Sequence, residues 1–162
     1  PFPRNVEKQI LISNIERTYS MRRQLPLRLS ATGMIGLAAL SATHWLREHV
    51  TAPAPLLAFV LGSMPNLAAA VAMPLILASF TPRISQVPIT RKSRVTYLVV
   101  LSFTTMGLCV WELMQIRNDR FVFDIYDLIA TGVGSVIAYV AFIWNTRSFT
   151  DEAARTSPRG EA

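Results

Sequence analysis

Five polar residues fall close together where two apolar runs meet: Glu112 and Gln115 close one run, and Arg120, Asp124 and Asp127 lead into the next. Arg117 and Asp119 lie in the same turn. Paired carboxylates can divide acid and base roles when their environments set them apart. They can hold a divalent cation through oxygen ligands. A guanidinium beside them can grip a phosphate or carboxylate on a lipid or peptide. The same residues also have a purely structural reading. Asp124 is placed to cap the helix that follows, and Asp127 falls in its first turn, where both favour the positive end of the helix dipole. Arg117 and Arg120 would then tie two helix ends together. Spacing alone favours this structural reading. No serine nucleophile elbow, zinc signature, phosphate-binding loop or dinucleotide fingerprint accompanies the acids. A binding or assembly role is therefore expected ahead of catalysis, with no cofactor and no metal.

The elements that must position this cluster are apolar and long. Four runs, at about 27–46, 56–80, 95–115 and 125–144, each approach the roughly 20 residues needed to cross a bilayer. They predict an all-α fold, an integral membrane bundle of four transmembrane helices. A basic leader (1–26) precedes the transmembrane domain (27–144), and a polar tail (145–162) follows it. In the leader, Leu11, Ile12, Ile15 and Tyr19 share one side of a helix, which suggests a segment lying on the membrane surface. The alternative is a basic arm held near anionic lipid by Arg17, Arg22 and Arg23. In the first run, Gly33 and Gly36 would let a neighbouring helix come close, while His44 and Trp45 mark its interfacial end. In the second, Pro65 should kink or break the helix near Gly62. Asn66 then lies near mid-membrane, where a bare amide is costly, and should bond to another helix. In the fourth, Ala130, Gly134 and Ala138 recur every four positions as a small-residue stripe for close helix packing, with Asp127 and Thr131 on or beside that face. Asn66 and Thr131 are the supporting polar groups of the candidate site.

Composition agrees with a lipid-embedded chain. Of 162 residues, 51% are hydrophobic and only 16% charged, against roughly 25% charged in an ordinary soluble domain. The single Cys109 excludes an intrachain disulfide and a cysteine-cluster metal site. The leader carries acids and is too long for a cleavable signal, so the first run is expected to stay as an anchor. The net charge of +6 follows topology. The chain through Arg28, the loop around 81–94 and the tail hold all but three of the 16 Lys and Arg; the opposite side has only Arg47, Arg117 and Arg120. The positive-inside rule then places both termini in the cytoplasm. No nucleic-acid partner is expected.

The polar positions bring a family into view. Glu112 and Gln115, then Arg120, Asp124 and Asp127, and finally Gly134 with Ala138 resemble the pattern of VanZ-like membrane proteins. The stretch from Gly62 to Asn66 is also similar to a segment of many of them. The resemblance spans the second to fourth runs. Thr131 stands where that family usually has Asn, and Ala138 where it usually has Gly. The resemblance implies a small helical protein of the bacterial cytoplasmic (inner) membrane, with a polar cluster facing outward. The family's namesake is associated with low-level teicoplanin resistance. The expected function is thus a non-catalytic binding or assembly role. The alternatives are an accessory subunit of a respiratory or photosynthetic membrane complex, whose partner helix would use the small-residue stripe, and a membrane enzyme acting on a cell-envelope substrate. The expected partners are the lipid bilayer and other membrane subunits.

Overall fold

The computed structural model describes residues 4–84, 90–116 and 124–156, with side chains described over 24–84, 90–116 and 124–147. Among these residues the chain is all-helical. Four helices follow in order: α1 (Arg4–His49), α2 (Pro55–Ser79), α3 (Arg91–Gln115) and α4 (Ile125–Thr156). Each contains a segment long and apolar enough to cross a membrane: Gln24–His49, Pro55–Ser79, Arg91–Gln115 and Ile125–Arg147.

Local chemistry sets the helix starts. Pro55 stands in the first turn of α2, where its missing N–H would have had no partner. The Thr90 hydroxyl accepts from the Ser93 amide and caps α3. An Asp124 carboxylate oxygen accepts from the Tyr126 amide at 2.9 Å and caps α4, as its position in the sequence predicts. Two helices extend beyond the runs read from hydropathy. α1 passes unbroken through Pro26, so residues 4–23 continue the first span as one helix of 46 residues. Their side chains, including the Leu11–Tyr19 face, lie outside the described set. α4 continues past Trp144 to Thr156.

α2 is the central helix. It packs on α1, α3 and α4, whereas α3 touches only α2 and α4. Small residues let the backbones approach. Ala68, Ala70 and Ala72 of α2 are all buried. A Cβ on Gly33 or Gly36 would press on the Ala68–Ile76 stretch of α2, at 2.6 Å from an Ile76 side-chain carbon and 3.0 Å from the Ala72 Cβ respectively. From the other side, Gly134 sits against the Leu67 carbonyl. Ala130, Gly134 and Ala138 are buried along one face of α4. The small-residue stripe therefore works inside this chain.

At the end of the bundle holding the first turns of α3, apolar side chains close the core: Leu25, Leu29, Leu75, Ala78, Ile84, Tyr97 and Phe142 are fully buried together. Tyr97 and Phe142 stack with centroids 3.8 Å apart. The Tyr97 hydroxyl donates to the Ala138 carbonyl at 2.9 Å, joining α3 to α4. Tyr97→Phe is expected to cost about 1 kcal/mol, since the bond goes but the ring packing stays. A lower unfolding midpoint in mixed detergent micelles would measure it. Elsewhere α3 contributes little to the core, and large side chains such as Phe103 and Met106 are left for lipid or other apolar surroundings.

Candidate functional site

The opposite end of the bundle is polar, and every helix contributes to it. Arg47 comes from the last turn of α1, Asn66 from α2, Glu112 and Gln115 from the end of α3, and Asp124 and Asp127 from the start of α4.

Glu112 is the centre. It lies one turn in from the end of α3 and is only 2% exposed. Its Oε1 accepts from the Asn66 side-chain amide at 3.0 Å, a direct bond between α2 and α3. Its Oε2 is buried and has no hydrogen-bond partner among the described residues. Gln115 lies alongside as a further side-chain partner, and the Asp124 and Asp127 charges face the same carboxyl. Asp127 is half-buried, beside Asn66 and within the field of Arg47 and Asp124. Asn66 thus stands between two carboxylates from different helices. Asp124 itself is exposed, and its cap bond to Tyr126 occupies one oxygen.

Pro65 shapes this end of α2. The sequence led us to expect a kink or break near Gly62; the helix is not interrupted there. Proline removes one N–H and crowds the carbonyl a turn earlier. Here that carbonyl is that of Leu61, and one residue further on Arg47 Nη2 donates to the Gly62 carbonyl at 2.9 Å. One side chain thereby stabilises the proline turn and supplies positive charge to the acid cluster.

The remaining candidate residues fall into three groups. Thr131 is fully buried but donates to its own helix, at the Asp127 carbonyl, 2.9 Å away. It therefore supports the backbone under Asp127 rather than lining the cluster. Ala130, Gly134 and Ala138 set the distance between α4 and α2, and so the position of Asp127 relative to Asn66. Arg120, with Arg117 and Asp119, lies outside the described residues. Sequence reasoning missed Arg47, which it counted only as a loop charge. The available signal was a cation just before a helix that carries a proline in its interior.

Among the described residues no group of three His, Cys, Asp or Glu is arranged to hold a metal ion. An open groove of about 600 Å³ between α3 and α4, bounded by Leu101, Thr105, Met106, Cys109, Ser135 and Tyr139, is mostly apolar and runs along α3 to within a turn of Glu112, which does not line it. Its polar floor is the Thr105–Ser135 hydroxyl pair, already bonded at 2.7 Å. Comparison with known proteins finds no matching family model, no matching curated protein and no matching solved structure.

The arrangement offers hydrogen-bond acceptors and negative charge in a partly dehydrated setting. Such a setting suits recognition of a donor-bearing group.

Proposed function

We propose that this chain is a VanZ-like integral membrane protein that binds a cell-envelope molecule at the outer membrane face, without converting it chemically. One observation carries this reading: all four helices bring polar side chains to a single cluster around a buried carboxylate with one oxygen unsatisfied. A buried acceptor left unpaired costs roughly 1–3 kcal/mol, and more when charged. A simple helix junction would gain from apolar side chains at such a place. The cost is understandable if a ligand completes the site. The Lys and Arg balance favours this end outside and both termini in the cytoplasm; the bacterial inner membrane is what the VanZ-like resemblance implies. The small-residue stripe of α4 gives no support to a partner-subunit reading, because α2 already covers it.

Asp127→Ala in the source cell tests the proposal. The expected result is altered sensitivity to drugs acting on the envelope, with the protein made in normal amount and melting as before. Unchanged envelope phenotypes in that folded variant would sink the binding role. Gentle solubilisation supplies a second check: co-purification of this chain in a large complex would replace the reading with that of an accessory subunit.

A further inference from the structure

The outward cluster has more acceptors than donors. Among the described residues Glu112 Oε2 has no hydrogen-bond partner, Asp127 carries a half-buried carboxyl, and the oxygen of the Asn66 side chain is a further acceptor. Among the described residues at this end, Arg47 stands against Glu48, Glu112, Asp124 and Asp127. Arg47 also gives one of its nitrogens to the Gly62 carbonyl. Among the described residues the acids at this end outnumber the cations, and a small cation bearing N–H groups would complement them.

We propose that the cluster binds a primary ammonium group, as carried by an aminophospholipid headgroup or a free amine, with Glu112 Oε2 as its main acceptor. This rests on the binding role argued above and names the chemical class of its ligand. An ammonium is a compact charge with three donors, enough to meet Glu112, Asp127 and Asn66 together. Oε2 is buried, so a small group reaches it more readily than a bulky head. A quaternary ammonium brings charge but no N–H. An anionic head meets repulsion here and attraction at the opposite end, where Arg83, Arg91, Lys92 and Arg94 lie. The depth also fits a headgroup. Trp45, Trp111 and Tyr126 are exposed at this end of α1, α3 and α4, and such side chains favour the level of the lipid headgroups. Tyr126 meets Phe59 edge-on, and Trp45 stacks on His49, so the belt is built of fixed rings.

The test uses the full chain in nanodiscs of phosphatidylglycerol doped with equal minor fractions of phosphatidylethanolamine or phosphatidylcholine. Native mass spectrometry reads which lipid stays bound. Phosphatidylethanolamine is expected to be retained roughly tenfold over phosphatidylcholine, the difference one charge-assisted hydrogen bond can give. Glu112→Gln should bring that ratio close to one. Asp127→Asn should lower it partly and serves as the readout if the Glu112 variant does not fold. Ethanolamine added to detergent-solubilised protein separates the two sources: a rise in melting temperature that Glu112→Gln abolishes identifies a free amine as ligand. Equal retention of both lipids with no response to ethanolamine would overturn the ammonium site, as would undiminished selectivity in folded Glu112→Gln. If selectivity is absent while Asp127→Ala still alters envelope phenotypes, the ligand class is wrong and the binding role stands.

Discussion

Gly134→Ala is expected to destabilise the bundle by about 2 kcal/mol, although alanine is the better helix former by roughly 1 kcal/mol. The added Cβ would lie 2.6 Å from the Leu67 carbonyl oxygen and 2.8 Å from the Ala70 Cβ. Neither atom is the end of a flexible side chain. Relief requires α4 to move away from α2, which loosens the close packing that holds transmembrane helices together. Gly132, two residues earlier on the same helix, has nothing within 4 Å of such a Cβ. Gly132→Ala should therefore keep stability or raise it by up to about 1 kcal/mol. The two substitutions are chemically identical, so opposite shifts of the unfolding midpoint in mixed detergent micelles would isolate the steric contribution. Equal shifts would mean that the α2–α4 approach is not as tight as described. A functional effect should follow. Gly134 lies two turns from Asp127 on α4, so displacing the helix moves Asp127 relative to Asn66 and should weaken ligand selectivity.

The four spans were legible because bilayer thickness sets length and apolarity in one stretch of sequence. The caps at Thr90 and Asp124 were local, and the Asp124 cap could be read in advance. The packing order was not legible. Lipid and protein core are equally apolar, so hydropathy does not separate Phe103, which is 77% exposed, from Phe142, which is fully buried. The same limit hid the fate of the α4 stripe: small residues announce a close neighbour without saying whether it belongs to the same chain. Asn66 had to find a helix to bond, yet nothing local specified Glu112, which lies 46 residues away. Glu112 and Gln115 read alike as polar residues at the end of a run. Only the placement of α3 against α2 separates them, burying the first and leaving the second half-buried. Arg47 escaped for a related reason, since its contacts with the Gly62 carbonyl and the field of Asp127 join three helices.

Asn66→Leu is expected to cost about 3 kcal/mol, the largest single effect on stability at the polar end. The substitution leaves both oxygens of Glu112 without the partner that now holds Oε1 at 3.0 Å, and stranding one member of a buried pair costs roughly 3–5 kcal/mol. Glu112→Leu acts in the other direction. It removes the buried acceptor and keeps apolar volume between α2 and α3, while the Asn66 amide retains Asp127 as a partner, so stability should hold or rise by up to about 1 kcal/mol. Once Glu112 is leucine, Asn66→Leu no longer strands a carboxylate, and its cost should fall below about 1 kcal/mol. The cycle should thus return a coupling of about 2 kcal/mol or more between the two positions. Unfolding midpoints of the four proteins measure it. The sign of the Glu112→Leu effect then decides what the carboxylate is for. A variant that is more stable but no longer discriminates among lipid headgroups would show a chain keeping an unfavourable group for its ligand. A variant as damaged as Asn66→Leu would instead make Glu112 part of the frame, with the polar end serving as a hydrogen-bonded junction between helices.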